Sequence, residues 1–455
     1  MISLLKRGIA CLFLLTNLHL SSYSQDFAGL RTSNYAGVNG VFFNPANIAG
    51  SPYRWDVNIG SANFMVGNNM TSYRLKDMIH TFNSDTLKAR IAGAKTGIGS
   101  AMVSTEALGP SFMFNAGKSA FAFTTRVRIM ENTKKMDGKL LNEFVNEKVD
   151  DPSLPYDFTV SGDNRVNANA WTEFGVSFGQ VLVDDGPHFF KAGITLKYLA
   201  GVGNAYLQMD NTKGTLNSDP SGVYLSQMSG TIGVNFGGTT VNDIKNGHLG
   251  GLSSSGFGGD IGFVYEYRYM PDVYKLRMGI ALLDVGSIRY ARDASRTGVY
   301  SAHVPGTERL YVNEFGNVDN YRQFMDSHPQ YFTAVPQQDG GTYNVSLPTT
   351  LQVDLDYRLA GGLFANVSGQ LSLAGDKPYN SSYYNMVAIT PRWEGRHFGI
   401  FLPMSYNTLS NFNAGFSAHL GPLYFGSGSV LSAWFKDAKQ ADFFVGVRFG
   451  GLKRD

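Results

Sequence analysis

The sequence predicts an all-β protein, a transmembrane antiparallel β-barrel of about 14 strands. Apolar and polar residues alternate along many segments, and short connections alternate with long ones. Beyond residue 24, no apolar run reaches the roughly eighteen residues that a membrane helix needs. The composition agrees, because 53 Gly, 32 Phe and 24 Tyr with only 16% charged residues are typical of strands joined by tight turns.

The N-terminal residues have the features of an export signal. Two basic residues precede an apolar run over residues 8–20, and small residues precede Gln25 as they do at a cleavage site. The apolar run continues beyond Cys11, which favours cleavage over lipid attachment at that cysteine. We therefore predict a signal peptide over residues 1–24 and an exported mature chain.

Charge and cysteine usage exclude several function classes. Cleavage would remove the only cysteine and leave 36 basic against 36 acidic residues, so disulfides and nucleic acid are not expected. The eight His residues show no zinc-like spacing, and we expect no metal site and no cofactor, with calcium in the oxygen-rich outer loops left as an open alternative. Asp354 and Asp356 share one strand face, but Arg358 beside them indicates a charged wall rather than a catalytic carboxylate pair. We predict that the protein is not an enzyme.

Alternation assigns a direction to the charged residues. In the segment 119–130, Phe121, Val127 and Ile129 share one face, whereas Arg126 and Arg128 fall on the other. A charged side chain that faces lipid at mid-bilayer costs about 2 to 4 kcal/mol, so these charges are expected to face the lumen. The predicted lumen-lining residues are Arg126, Arg128, Lys191, Lys197, Glu266, Arg268, Asp354, Asp356 and Arg358.

The order of connections supports a barrel over a soluble sandwich. Every second connection is a short turn, and those between include long segments at 67–107, 131–168, 203–255 and 291–347. Short periplasmic turns alternating with long outer loops are typical of membrane barrels. The predicted strand spans are 55–66, 108–115, 119–130, 169–183, 188–202, 256–270, 273–290, 348–359, 362–373, 383–394, 397–407, 410–419, 422–430 and 441–449.

The stretch VFFNPANIAG, residues 41–50, lies before the first predicted strand. Asn44 can accept a backbone hydrogen bond from a following residue, and Pro45 presets the first position of a helical turn. Phe42 and Phe43 give this capped turn an apolar surface to bury. We predict that Phe42, Phe43, Asn44, Pro45 and Ala46 form a hatch or plug.

The N-terminal block with Asn44-Pro45-Ala46 resembles the FadL-like outer-membrane barrels, including the PorV-like members found with type IX secretion. Stretches at 282–290, 396–407 and 420–430 resemble a related, poorly characterised branch of barrels. The resemblance implies a bacterial outer-membrane protein whose N-terminal hatch enters the barrel mouth from the periplasm. That hatch either gates the lumen or only tethers the terminus.

The resulting division of the mature chain has three parts. Residues 25–54 form the hatch, residues 55–449 the barrel, and residues 450–455 a periplasmic tail. Three long loops are expected to contain short amphipathic helices, whose apolar faces either pack as a cap or accept a ligand or partner. Those loop residues are Leu75, Met78, Ile79, Phe82, Phe144, Tyr321 and Phe324.

Two function hypotheses follow from the resemblance and the loops. The first is a barrel that binds or passes a hydrophobic or amphipathic solute. The alternative is a PorV-like partner subunit of a secretion or surface-assembly complex that docks through its long extracellular loops. The expected partners are outer-membrane lipid, a hydrophobic small molecule or a protein at the extracellular loops, and not nucleic acid.

Overall fold

The protein is described here by a computed structural model. It covers residues 27–72, 74, 98–140, 153–162, 164–239, 254–270, 273–315, 320–336, 341–435 and 437–453. The predicted signal peptide over residues 1–24 lies outside the described residues. Within them, 23 strands form one antiparallel sheet.

The strands are numbered in chain order. They are β1 (Tyr53–Asn68), β2 (Ile98–Leu108), β3 (Ser111–Ala116), β4 (Ser119–Asp137), β5 (Tyr156–Val160), β6 (Asn164–Asp185), β7 (His188–Asp219), β8 (Gly222–Gly238), β9 (Ser254–Met270), β10 (Val273–Ala291), β11 (Gly298–Val304), β12 (Leu310–Tyr311), β13 (Phe332–Ala334), β14 (Thr342–Ser346), β15 (Thr350–Ala360), β16 (Leu363–Ser372), β17 (Met386–Glu394), β18 (Phe398–Phe401), β19 (Met404–Asn407), β20 (Asn411–Ala414), β21 (Phe416–Leu420), β22 (Leu423–Ser427) and β23 (Gln440–Leu452).

Helices are short. Two α-helices are α1 (Tyr321–Ser327) and α2 (Val430–Phe435), and the 3-10 helices are Leu30–Thr32, Gly37–Phe42, Pro45–Ile48 and Val312–Phe315. None of the helices in the described ranges is long and apolar enough to cross a membrane.

The sheet closes on itself where the first strand meets the last. β1 pairs antiparallel with β23, from Tyr53 opposite Leu452 to Gly67 opposite Gln440. The closed wall has 14 strands, four of which are each interrupted into two consecutive pieces: β2 and β3, β14 and β15, β18 and β19, β20 and β21. Three of these breaks contain a proline, which cannot donate to the strand ladder. The predicted barrel of about 14 strands is confirmed.

The two faces of the wall differ as the alternation predicted. On β4, Phe121, Val127 and Ile129 are 40 to 50% exposed on the outside, whereas Arg126 and Arg128 are buried on the inside. The other wall strands repeat this arrangement, with apolar side chains exposed outward. The outer surface therefore suits a lipid environment.

Short turns gather at one end of the barrel. We call this the turn end, since it also holds the start of β1 and the end of β23, and we call the opposite end the loop end. Four of the turns use a glycine with φ between 53° and 64°, a backbone conformation that residues with a Cβ rarely adopt. These glycines are Gly117, Gly186, Gly361 and Gly421.

The loop end carries a folded extension where the sequence predicted only loops. β7 continues to Asp219 and pairs there with β5 and β8, and β8 pairs in turn with β11 and β12. A buried core that includes Phe158, Leu216, Leu225 and Phe332 holds these strands together. The pairing of β7 with β8 shifts register twice in this region, which interrupts the alternation of apolar and polar residues. The two-residue pattern in the sequence therefore does not predict these strands.

Several boundaries differ from the predicted spans, and three of them affect the ends of the wall. The second wall strand begins at Ile98 rather than at residue 108, because the break between β2 and β3 at Gly109 and Pro110 resembles a strand start. β1 begins at Tyr53. β23 runs to Leu452, so pairing continues into the segment 450–455 that was predicted to be a periplasmic tail.

Candidate functional site

Of the predicted hatch, residues 25–54, the segment 27–50 packs inside the wall at the turn end, and this segment is called the hatch from here on. Asn44 accepts a hydrogen bond from the Ala46 N–H at 2.9 Å, and Pro45 occupies the first position of the helix Pro45–Ile48. This is the capped turn that the residues Asn44, Pro45 and Ala46 predicted. Gly50, at φ +62°, then reverses the chain toward β1.

The wall has a groove that fits this turn. A Cβ at Gly193 would overlap the backbone of Pro45 and Ala46, and a Cβ at Gly262 would overlap the Asn44 side chain. Asn44 Nδ2 also donates to the backbone carbonyls of Phe263, at 3.1 Å, and Ile280, at 3.2 Å. The two wall glycines therefore let the hatch approach the backbone of β7 and β9 closely.

Apolar contacts hold the opposite side of the hatch. Phe27 and Leu30 are buried against Leu108, Tyr424 and Phe444 of the inner wall. Phe42 and Phe43 pack on the same cluster and remain partly accessible. The inner wall thus carries an apolar patch, which the hatch covers.

Arginine residues contact these rings as well. The Arg126 guanidinium lies 4.9 Å from the centre of the Phe42 ring, and that of Arg31 lies 5.5 Å from the Phe43 ring. The interaction between a cation and the face of an aromatic ring is favourable, and it is stronger where water is excluded. The apolar patch therefore borders directly on charged groups.

Above the hatch, buried charges cross the lumen as a central ion cluster. Arg126 contacts Glu173 at 2.7 Å, Arg128 contacts Asp284 at 2.9 Å, and Lys197 contacts Asp260 at 2.7 Å. Each cation has more than one carboxylate partner, which offsets part of the cost of burying charge. The members of the central ion cluster are Glu106, Arg126, Arg128, Glu173, Lys197, Asp260 and Asp284.

The sequence identified the cations of this cluster but not their partners. Arg126, Arg128 and Lys197 were predicted to face the lumen, and they do lie inside the wall. Glu173 and Asp284 were missed, although both belong to wall strands and are buried inside. The available signal was a lone charge within an uncharged stretch, Glu173 within residues 166–183 and Asp284 within residues 278–288.

The other predicted lumen residues lie nearer the turn end. Lys191, Glu266 and Arg268 form one group, in which Arg268 contacts Glu266 at 2.6 Å. Lys191 also donates to the Ala49 carbonyl of the hatch at 2.8 Å. The Asp356 carboxylate accepts hydrogen bonds from both terminal nitrogens of Arg392, at 2.6 and 2.8 Å.

Further hatch anchors come from residues that the sequence did not single out. Glu394 accepts from the Ser33 hydroxyl at 2.9 Å and from the Asn34 N–H at 2.7 Å. Arg277 Nη1 donates to the Asn34 side chain at 3.0 Å. A cavity of about 370 Å³ opens between these hatch residues and the wall, and Arg268, Arg277 and Arg358 are among its lining residues.

An inward-folded connection crosses the lumen at the loop end. We call residues 373–385, between β16 and β17, the inward loop. Asparagine side chains on β4, β6 and β7 donate to its backbone carbonyls, as Asn169 does to Tyr379 at 3.1 Å. Tyr383 reaches the central ion cluster, where its hydroxyl donates to Glu106 at 2.9 Å and accepts from Arg128 at 2.6 Å. The asparagines are Asn132, Asn167, Asn169 and Asn204.

The predicted apolar loop faces are only partly described. Leu75, Met78, Ile79, Phe82 and Phe144 lie outside the described residues. Tyr321 and Phe324 lie on α1, and Phe324 is buried in the core of the extension while Tyr321 packs against that core. In the described part of the fourth loop, this face is therefore covered by the chain itself.

No metal site emerges in the part of the chain that the structure describes. Within those ranges, no group of three or more His, Cys, Asp or Glu residues is arranged to hold a metal ion. Many polar side chains inside the wall contact one another, the hatch or the inward loop.

Solved structures similar to this chain include two toluene transporters and a FadL homologue. The Ralstonia pickettii toluene transporter TbuX has 10% identity and a TM-score of 0.43, covering 96% of this chain and 100% of its own. The P. putida toluene transporter TodX has 9% identity and a TM-score of 0.44, covering 92% and 95%. A Pseudomonas aeruginosa FadL homologue has 10% identity and a TM-score of 0.33, covering 94% and 99%.

Sequence comparison is more specific about the family. A search of curated proteins gives no match. A family model described as "Family of unknown function (DUF5723)" matches residues 45–428, which include the end of the hatch and most of the wall. The chain therefore belongs to the DUF5723 family.

Proposed function

We propose that this protein is an outer-membrane barrel that binds or passes a hydrophobic or amphipathic solute, with the hatch as its gate. Such a barrel would sit in the membrane with its turn end toward the periplasm and its loop end toward the outside of the cell. The observation that carries the proposal is the apolar patch of Leu108, Tyr424 and Phe444 beneath the hatch. A displaced hatch would leave that patch open to a solute.

The chemistry around the patch fits an amphipathic molecule. Its apolar part could replace Phe27 and Leu30 on the wall, while its polar part would meet Arg126, which now lies against Phe42. Many of the contacts that hold the hatch are individual hydrogen bonds, such as those of Asn44 and Glu394. Each such bond contributes only about 0.5 to 1.5 kcal/mol, or about 1.5 to 3 where a charged group takes part, so a solute could compete with a few of them.

A reversible cross-link between hatch and wall tests gating. A Cβ at Gly179 on β6 would lie 3.2 Å from the Ala49 Cβ of the hatch, close to the usual Cβ separation in a disulfide of about 3.5 to 4.5 Å. The only native cysteine, Cys11, lies in the predicted signal peptide. The double variant Ala49→Cys/Gly179→Cys should therefore form one defined bond.

Influx of the hydrophobic dye N-phenyl-1-naphthylamine would be measured in cells that display the double variant. We expect the oxidised form to admit the dye several-fold more slowly than the reduced form, and each single-cysteine variant to be indifferent to the reductant. Equal influx in both redox states would eliminate the hatch as the gate. Influx no faster than in cells without the protein would eliminate passage of such solutes.

A second candidate function is a partner subunit that docks through the loop end, as in the PorV-like resemblance. The extension favours it, because β5, β8, β11 and β13 build a core of their own beyond the wall. A barrel does not need such a structure for closure. Purification in mild detergent with a companion at fixed stoichiometry would support docking, and isolation of a lone barrel would count against it.

A further inference from the structure

One buried cation inside the turn end has no carboxylate within ion-pair distance. Arg277 on β10 is only 7% exposed, and among the described residues no acidic side chain lies within 4.0 Å of its guanidinium. Its Nη1 donates to the neutral amide of Asn34, and its Nε has no hydrogen-bond partner. A buried charge in this position is costly unless something of opposite charge compensates it.

The neighbouring carboxylates, Asp354, Asp356 and Glu266, attract Arg277 only from beyond ion-pair distance. Asp356 on β15 lies directly opposite Arg277. Its carboxylate, however, accepts hydrogen bonds from both terminal nitrogens of Arg392 and from the hydroxyl of Tyr274. Glu266 lies at 2.6 Å from Arg268. Asp354 lies on the same strand as Asp356, opposite Gly279 rather than Arg277.

Arg277 lines the cavity of about 370 Å³ between hatch and wall. Two acidic side chains line it, Glu266 and Glu394, and each has an arginine partner within 2.7 Å. Basic side chains outnumber them, and the cavity has a formal excess of positive charge. The basic lining residues are Lys191, Arg268, Arg277, Arg358, Arg396 and Lys453.

We propose that this cavity is a binding site for a small anion, a phosphate or a carboxylate-bearing solute, held by Arg277 and Arg358. Arg358 is suited to the role because its guanidinium donates to neutral groups, the Gly361 carbonyl at 2.6 Å and the Tyr269 hydroxyl at 3.2 Å. Two guanidinium groups at one cavity provide the forked donors that carboxylates and phosphates accept in pairs.

The inference goes beyond the proposed passage of a hydrophobic solute and does not depend on it. The apolar patch beneath the hatch is built from Leu108, Tyr424 and Phe444, none of which lines this cavity. An anion could therefore bind whether or not the hatch moves. Binding is accordingly measured on the purified barrel, where no transport is required.

Isothermal titration calorimetry on the mature protein in a non-ionic maltoside detergent tests the site, at constant ionic strength. Sodium phosphate and sodium citrate are titrated separately. We expect one saturable binding event with at least one of them, and an affinity at least tenfold weaker in Arg277→Gln. Glutamine is chosen because it removes the charge while its amide nitrogen keeps a polar donor at the position of the Arg277 Nε.

Two further variants separate a specific site from general charge. Arg309→Gln removes an arginine of the extension, 56% exposed, and should leave the affinity unchanged. Asp354→Asn removes a carboxylate that attracts Arg277 from outside the cavity lining, and should leave binding intact or tighten it, because less negative charge would oppose the anion. Retained gel mobility of the folded form verifies that each variant barrel is intact.

Phosphate binding alone would identify a phosphate site, and citrate binding alone a carboxylate site. Saturable binding that is unchanged in Arg277→Gln would overturn the proposal, as would the lack of saturable binding in the native protein. Occupancy by short-chain phosphatidylglycerol, with neither free anion bound, would also overturn it, since the ligand would then be a lipid headgroup.

Discussion

Asp56 and Arg448 face each other inside the seam where the first and last strands close the barrel. The two side chains form an ion pair, and both are nearly inaccessible to solvent. Asp56 also accepts the Val38 N–H at 2.8 Å, and Arg448 donates to the Tyr35 carbonyl. One ion pair therefore joins the barrel seam to the hatch.

Breaking this pair is expected to destabilise the barrel strongly. Arg448→Met should lower the free energy of unfolding by about 3 to 5 kcal/mol, because it leaves the Asp56 carboxylate buried without its partner. Urea unfolding in lipid vesicles, followed by tryptophan fluorescence, would measure the change. The double variant Asp56→Asn/Arg448→Met should recover part of the loss.

An exposed ion pair provides the matched control. Arg74 and Asp437 contact each other at 2.6 Å, with side chains 60% and 44% exposed. Arg74→Met should therefore cost no more than about 1 kcal/mol. Similar losses in Arg448→Met and Arg74→Met would contradict the role assigned to the seam pair.

Asn44 is predicted to hold the hatch in its wall groove. Asn44→Ala removes two hydrogen bonds to wall carbonyls and the cap of the helix Pro45–Ile48. We expect local opening of the hatch to become about 1 to 2 kcal/mol easier. Hydrogen exchange of the backbone amides of residues 38–50 should accelerate by roughly tenfold.

Asn47→Ala is the companion variant. Asn47 donates to the Gly40 carbonyl at 3.2 Å, so its bond lies within the hatch. Its loss should alter exchange less than loss of Asn44. If both variants left the hatch amides as protected as in the native protein, the anchoring role of Asn44 would be wrong.

Asp376 is expected to make the inward loop sensitive to acid. Burial opposes ionisation of its carboxylate, but hydrogen bonds from Lys134 and Arg165 outweigh this and hold the pKa of Asp376 below its usual value. The contacts of Asp376 with Lys134 and Arg165 therefore stabilise the inward loop fully above the ordinary aspartate pKa of about 4. This stabilisation is lost as the pH falls through the lower folded-state pKa. Hydrogen exchange of residues 373–385 should accelerate across that window.

Substitution identifies the carboxylate responsible. Asp376→Asn should loosen the inward loop at neutral pH and flatten its acid dependence. Asp437→Asn, at an exposed ion pair outside the loop, should preserve the native acid response of residues 373–385. An unchanged acid response in Asp376→Asn would assign the effect to another group.

The outer face of the wall is predicted to reject charge. Val176 on β6 is 61% exposed and lies between Phe123 and Leu196 on the neighbouring strands. Val176→Arg should cost about 2 to 4 kcal/mol if that position lies near the middle of the bilayer. Thr333→Arg, on the exposed face of β13 in the extension, should be nearly neutral. Equal folding yields for both variants in vesicles would contradict this membrane orientation.

Local sequence determined the direction of side chains along the wall. The two-residue period placed Phe121 and Val127 outside and Arg126 and Arg128 inside, because successive strand residues point to opposite faces. It also predicted the capped turn at Asn44, since capping depends on residues only two or three positions apart. The alternation of short and long connections, which predicted a barrel, is likewise read directly from the order of segments in the sequence.

Only the tertiary structure decided which buried groups meet. Arg128 contacts Asp284, 156 positions away, and the inward loop reaches Asn169 across the lumen. Alternation specifies a face but not a partner, because closure of the wall brings together strands that are distant in the chain. For the same reason, the sequence could indicate that Arg277 faces inward, whereas its lack of a carboxylate within ion-pair distance depended on the three-dimensional packing of β10, β15 and the hatch.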